Sequence, residues 1–312
     1  MLNLAYVFPG QGSQTVGMLA DLAEKHTAVR DIFAQASDVV GYDLWQLVQI
    51  DSADQLNQTE YTQIAVLTAD VAVFSVIQQY NTAPVNIMAG HSLGEYAALV
   101  CAQAISLKDA VALVRHRGRL MQTCMPIGYG SMAAIVGLTD DEIEILCQNA
   151  SNDIQQVTPA NFNALGQVVI AGHAEAVGRA IALAQERQVR LAKLLAVSVP
   201  CHCPLLAEAA EEFAEYLNVT NFQAPEIAVI SNVDLSCYQS PQHIRALLKN
   251  QLVKPVRWVE TIQTMRKRGI NMIIECGPGK ILTGLVKRID KSLSALSVHD
   301  EASLQHAYKA IQ

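Results

Sequence analysis

Val85-Asn86-Ile87-Met88-Ala89-Gly90-His91-Ser92-Leu93-Gly94-Glu95-Tyr96, followed by the Ala/Leu-rich stretch through Ala102, decides how this chain folds. Val85 to Ala89 is a short apolar run of strand length, and the residues after Gly94 have the composition of a helix. The pattern Gly90-x-Ser92-x-Gly94 lies between them. A sharp strand-to-helix turn of this kind forces its serine into a strained backbone conformation, while the small flanking residues let strand and helix approach closely. The hydroxyl then stands proud of the sheet at a helix N-terminus, where amides and the helix dipole favour negative charge. The alternative is a glycine-rich turn whose serine only caps the helix.

The same unit recurs on either side. Leu4 to Phe8 is an apolar run ended by Pro9-Gly10, and Asn271 to Glu275 is a strand followed by Cys276-Gly277-Pro278-Gly279 and a helix from Lys280. Ser106 opens a further helix with Asp109 as its capping-box partner. Repeated strand, turn and helix units imply a mostly parallel sheet with helices on both faces. The middle of the chain reads differently. Strands are expected at Ser131 to Val136, Ile154 to Phe162, Gln167 to Ala171 and Val189 to Val197, with helices at Asp140 to Asn149 and Ala174 to Arg187. That order, βαββαβ, is the ferredoxin-like split unit. The fold class is therefore α/β. A large α/β-hydrolase-like domain with a mostly parallel sheet takes residues 1–126 and 198–312, and a small ferredoxin-like domain, residues 127–197, is inserted in it.

Composition narrows the function. The 312 residues are 51% hydrophobic and 16% charged, enough for a sizeable core. The net charge is -7 with no long Lys/Arg run, which argues against nucleic acid as a partner. The first residues read as a strand rather than a signal peptide. Ala65 to Val76 falls short of a membrane span and is interrupted by Asp70, so no membrane association is expected. Seven scattered cysteines, an odd number, fit reduced thiols in the cytoplasm.

A serine nucleophile needs a base. Of eight histidines, His91 adjoins Ser92 but points elsewhere at such a turn. His26, His116, His243, His299 and His306 lie on polar stretches and are expected to be solvated, and His173 looks like the entry to a surface helix. His202 follows the apolar run ending Val199-Pro200, where sites assemble at strand ends in an open α/β sheet, and is the candidate base. Cys201-His202-Cys203 lacks the paired spacing and second cluster of a metal site, so no metal is expected.

On the helix Leu107 to Gln122, Arg117 falls in the apolar stripe of Ala110, Leu113, Val114 and Met121, whereas Arg115 and Arg119 turn away and read as solvated. An arginine facing inward is a buried ion pair, a snorkelling side chain or a fork for a substrate carboxylate. Gly10-Gln11-Gly12-Ser13-Gln14 and Gly277-Pro278-Gly279-Lys280 match neither phosphate-loop pattern. The first turn could supply an oxyanion amide if it faces the elbow.

Together, these segments resemble the bacterial malonyl-CoA:acyl carrier protein transacylases over essentially the whole chain. The resemblance runs through Phe8 to Gln14, Thr62-Gln63, Gly90 to Tyr96, Arg117-Gly118, Met121-Gln122, Asn161 to Asn163, Gly166 to Gly172, Val199 to Cys203, Gln251 and Gly277 to Lys280. It implies Ser92 as nucleophile and His202 as base, with a backbone carbonyl near Gln251 as third member. It also implies oxyanion amides at Gln11 and Leu93, the substrate carboxylate on Arg117, and pocket-lining roles for Asn163 and Gln63. Cys201 stands where relatives often carry serine, and Tyr129 where a smaller or polar residue is expected.

The implied activity is malonyl transfer from malonyl-CoA to the phosphopantetheine thiol of acyl carrier protein through a malonyl-serine ester, for fatty acid synthesis. No cofactor is expected, and the enzyme is expected to act as a monomer. The acidic carrier would meet cations among Arg187, Arg190, Lys193, Lys280, Lys287 and Arg288. The rival readings are a loading enzyme of a polyketide or malonate-decarboxylase system, a serine esterase and a non-catalytic acyl-binding subunit.

Overall fold

The computed structural model describes residues 2–80, 83–126, 128–197 and 199–312. Among the described residues nine strands form two sheets: β1 Leu4–Phe8, β2 Val85–Gly90, β3 Gly130–Val136, β4 Val157–Ala164, β5 Gln167–His173, β6 Leu191–Leu194, β7 Val229–Ile230, β8 Met272–Cys276 and β9 Ser294–Val298. The first sheet has the order β7-β2-β1-β8-β9, and every pair in it is parallel. β1 lies at its centre with all five residues buried, as a continuous apolar run in a parallel sheet should. Alternate side chains serve opposite faces. Leu4, Tyr6 and Phe8 join one core cluster with the helix Thr59–Gln78, while Ala5 and Val7 join another with Trp258, Ile262, Leu282 and Val286.

The second sheet has the order β4-β5-β3-β6 and is antiparallel. Its first and third strands in chain order, β3 and β5, are central, which is the ferredoxin-like arrangement. The helices Asp140–Ala150 and Ala174–Glu186 cover one face through Ile143, Leu146, Val177 and Ala180. The other face turns Met132, Val169 and Ala171 toward Cys203 in the segment that carries His202. β4 is also stitched to the main body, since Phe162 N–H donates to the Val256 carbonyl at 2.9 Å and Val256 N–H to that of Ala160 at 2.8 Å. The small sheet thus forms a wall over the carboxyl ends of the parallel strands.

Several boundaries differ from the sequence reading. β4 begins at Val157 rather than Ile154 because the Asn152 side chain accepts from Ile154 N–H at 3.0 Å and Gln155 N–H at 2.7 Å, closing a turn there. β6 covers only Leu191–Leu194, and Leu195 and Val197 turn to line a cavity instead. The expected domain boundary residues Ile127 and Ser198 lie outside the described residues. The helix Thr59–Gln78 is long and apolar enough to cross a membrane by composition, but 78% of its apolar window is buried among its neighbours. It is the central core helix, carrying even Asp70 fully buried.

Candidate active site

The elbow forms as its glycines dictate. Ser92 has a φ of 53°, in the left-handed region, which costs a non-glycine residue on the order of 1 kcal/mol or more. A Cβ on Gly90 would lie 1.8 Å from the Gly94 carbonyl carbon, and one on Gly94 would lie 2.1 Å from the Phe8 carbonyl oxygen. Only glycine allows strand, turn and helix to meet this closely. The first turn is pressed against the elbow too: His91 N–H donates to the Phe8 carbonyl at 2.9 Å, and a Cβ on Gly10 would fall 2.5 Å from the His91 carbonyl oxygen. Gln11 and Leu93 therefore come to one cavity, as the first turn's position after β1 requires.

An unanticipated residue holds the strained turn. Asn232 accepts from Ser92 N–H at 2.7 Å and donates to the Gly90 carbonyl at 2.7 Å. It follows β7, whose two residues are too few to leave a strand signal in the sequence.

Ser92 Oγ–H donates to His202 Nε2 at 2.6 Å, and His202 Nδ1–H donates to the Gln251 carbonyl at 2.7 Å. The carbonyl partner fixes the tautomer, leaving Nε2 free to accept a proton. His202 is 3% exposed. Burial, with the Arg117 charge as second cause, drives its pKa down to about 3 against the pull of the Gln251 carbonyl. The imidazole is thus a neutral base throughout the physiological range. Cys201 and Cys203 donate their thiols to the Val199 and Pro200 carbonyls and do not gather round His202.

Arg117, on the helix Leu107–Thr123, is 1% exposed. No carboxylate oxygen among the described residues lies within 4.0 Å of it, so the ion-pair alternative fails. Its Nη1 donates to Gln63 Oε1 at 2.7 Å, and its Nη2 donates to Gln251 Oε1 at 3.0 Å and faces Ser92 Oγ at 3.5 Å. Nε is buried with no partner. A guanidinium held by neutral amides and facing the serine hydroxyl has the donor geometry that a carboxylate would match.

These groups open onto a cavity of ≈ 380 Å³ whose lining includes Gln11, Ser92, Leu93, Arg117, Asn163 and His202. Met132, Val169, Leu195 and Val197 close it from the small-sheet side, and Ile281, Leu282 and Leu285 from the helix after β8. Gln63 and Gln251 are fully buried and lie behind Arg117 rather than lining the cavity, a correction to the pocket-lining place expected for Gln63. Asn163 Oδ1 accepts from His91 Nε2 at 2.7 Å, and His91 sits edge-on to Trp258.

His306 is exposed and His173 caps the helix Ala174–Glu186, as expected, but others are more buried than the sequence suggests. His26 is buried against Glu301 at 2.9 Å. His173 is also buried, its Nδ1 accepting from Gln156 N–H at 2.9 Å. His116 stacks on Tyr216, and His243 and His299 are half-buried. Arg115 is half-buried, whereas Arg119 is exposed and pairs with Glu60 at 2.5 Å. Tyr129 is half-exposed and lies edge-on to His173.

Comparison with known proteins places this arrangement. The acyl transferase domain family matches residues 5–306. A curated relative, the malonyl CoA-acyl carrier protein transacylase of Escherichia coli strain K12, is 48% identical over 98% of this chain and 99% of its own. The solved malonyl CoA-acyl carrier protein transacylase of Coxiella burnetii superposes with a TM-score of 0.97 at 46% identity, covering 99% of this chain and 98% of that one. A malonyl-transacylase solved in complex with its type II PKS acyl-carrier protein superposes at 0.96 and 48% identity, covering 99% of each chain. With matches of this extent across the elbow, the histidine segment and the buried arginine, the chain belongs to the acyl transferase family, among its malonyl CoA-acyl carrier protein transacylases.

Proposed function

We propose that the protein transfers the malonyl group of malonyl-CoA to the phosphopantetheine thiol of acyl carrier protein through an ester on Ser92, supplying fatty acid synthesis. The observation that carries this reading is the buried guanidinium of Arg117, without a counter-ion and 3.5 Å from Ser92 Oγ. A neutral acyl group leaves that charge unused, whereas malonate brings the missing carboxylate to a two-pronged donor.

The chemistry follows from the geometry. His202 Nε2 takes the proton as Ser92 Oγ attacks the thioester carbon. The tetrahedral oxyanion is held by the amides of Gln11 and Leu93, each such donor being worth about 2.7–4 kcal/mol. The C–S bond breaks, His202 returns the proton to the departing coenzyme A sulfur, and a malonyl-serine ester remains. The carrier thiol then gives its proton to His202, attacks the ester and leaves with the malonyl group, restoring the serine hydroxyl. The Gln251 carbonyl needs only to orient the imidazole, so an acidic triad member is dispensable.

No step requires a metal or redox cofactor. Every group comes from one chain, which supports a monomer as the working unit, and seven free cysteines fit a reducing compartment such as the cytoplasm. For the acidic carrier, Lys193 and Lys280 are the apt contacts, since both are exposed and flank the cavity-lining segments at Leu195 and Ile281.

Presenting malonyl-CoA with and without the carrier tests the activity. Malonyl-carrier is expected to form much faster than free malonate; dominant release of malonate would point to a hydrolase instead. His202 makes a second expectation. Acylation by an uncharged donor such as acetyl-CoA should stay level from about pH 8 to about pH 5, because a base with a strongly depressed pKa is not protonated there. An acid limb near the ordinary histidine value with that donor would contradict the neutral, buried imidazole.

A further inference from the structure

Two wholly buried charged side chains flank the elbow without a counter-ion, Arg117 and Glu95, and a single amide lies between them. Glu95 sits in the first turn of the helix Gly94–Cys101. Its Oε1 accepts from Asn232 N–H at 3.0 Å and Tyr238 O–H at 2.5 Å, and its Oε2 accepts from Gln251 Nε2. Gln251 Nε2 donates its other hydrogen to the Ser92 carbonyl at 3.0 Å, while Gln251 Oε1 accepts from Arg117 Nη2 at 3.0 Å. The backbone carbonyl of the same residue carries His202.

We propose that Glu95 is a positioning residue that locks the Gln251 amide with its oxygen toward Arg117 and so sets the guanidinium for the substrate carboxylate. The proposal rests on Arg117 being the carboxylate clamp. The amide has two donors and one acceptor face, and both donors meet groups that only accept, a carbonyl and a carboxylate. A flipped amide would aim N–H at the guanidinium and oxygen at two acceptors. Gln63, the other amide on Arg117, is held less firmly, since its Nε2 meets only the Met121 sulfur at 3.4 Å.

The lock works while Glu95 is charged. Burial pushes its pKa up to about 7, against hydrogen bonds from Tyr238, Gln251, Asn232 and Ser231 that pull it down. The titratable and charged groups around it are Tyr238, Tyr96 on its own helix, and Arg117 and His202 across Gln251. Burial holds both tyrosines protonated, and His202 is neutral until about 3. Glu95 is therefore the group of this cluster that changes charge near neutrality. Once protonated it is a weaker acceptor for Gln251 Nε2, and its new hydrogen is shared among the Tyr238 and Ser231 hydroxyls and the amide, so Gln251 is no longer held with its oxygen toward Arg117. Binding of a carboxylate-bearing donor weakens as pH falls through this range, and binding of a neutral donor does not.

The test measures KM and kcat for malonyl-CoA and acetyl-CoA across about pH 5.5 to 8.5, with acylation followed by intact mass. Wild-type KM for malonyl-CoA alone is expected to rise below about pH 7. Glu95→Gln sets an amide NH2 against either the Gln251 N–H or the Asn232 N–H, and removes the charge that holds Gln251. It is expected to raise KM for malonyl-CoA on the order of tenfold, the loss of a hydrogen bond to a charged group, and to erase that pH dependence. The acetyl-CoA constants should change much less. Tyr238→Phe keeps the carboxylate but removes one donor, so it should move the malonyl-specific limb to higher pH. Equal losses for both donors in Glu95→Gln, or a wild-type malonyl-CoA KM that does not vary with pH, would overturn the proposal. If Glu95→Gln does not fold, an unmoved limb in Tyr238→Phe does so. A failure of the clamp itself would show separately, as equal losses for both donors in Arg117→Ala.

Discussion

Ser92→Ala is expected to remove covalent labelling by malonyl-CoA completely and to lower transfer to the carrier by roughly 10⁴-fold or more, as loss of a nucleophile does in serine enzymes. Cys201 also lines the cavity, but its thiol donates to the Val199 carbonyl rather than to His202. Ser92 Oγ is the atom bonded to His202 Nε2, and it is the one held at the top of the elbow by a φ of 53° and the Asn232 clamp. Alanine can take the same backbone conformation at similar strain, so the fold should survive, with an unchanged thermal midpoint as the control. Persistent acid-stable labelling of this variant would show that another side chain carries the acyl group.

The second large effect is a change in preference. Arg117→Ala is expected to depress kcat/KM for malonyl-CoA by about 30-fold to several thousand-fold, corresponding to about 2–5 kcal/mol for a buried charged pair losing one partner. Acetyl transfer should fall far less, because an acetyl group offers the guanidinium nothing to bind. Lysine should restore little of the loss. Its ammonium cannot satisfy Gln63, Gln251 and a carboxylate together in the planar fork that a guanidinium provides. Measuring both donors with each variant decides the point, and equal losses would count against Arg117 as the carboxylate site.

Much of this was legible in the sequence because the relevant constraints are local. Gly90-x-Ser92-x-Gly94 needs its glycines for close approach, and the Cβ clashes of 1.8 and 2.1 Å show how strictly. The continuous apolar run of β1 and the position of Arg117 inside an apolar stripe likewise follow from strand and helix periods. What was hidden depends on partners distant in the chain. Whether Arg117 met a carboxylate or an empty cavity could not be read from its helix, since Gln63 and Gln251 are 54 and 134 residues away. Asn232 and Tyr238 gave no pattern of their own. Nothing in the sequence singled out Glu95, which is wholly buried and accepts from Asn232, Tyr238 and Gln251. His26, on a polar stretch, and His173, at the entry to a helix, turned inward to specific partners. Strand ends shifted where a side chain competed for the backbone, as Asn152 does before β4.

The convergence of hydroxyl, imidazole and guanidinium on one malonyl group is tested most directly by peptide mass spectrometry after brief mixing with malonyl-CoA and no carrier. The account predicts a single malonyl adduct, on the peptide containing Ser92, that disappears when carrier thiol is added. An adduct on another residue such as Cys201, or no adduct while transfer proceeds, would contradict it.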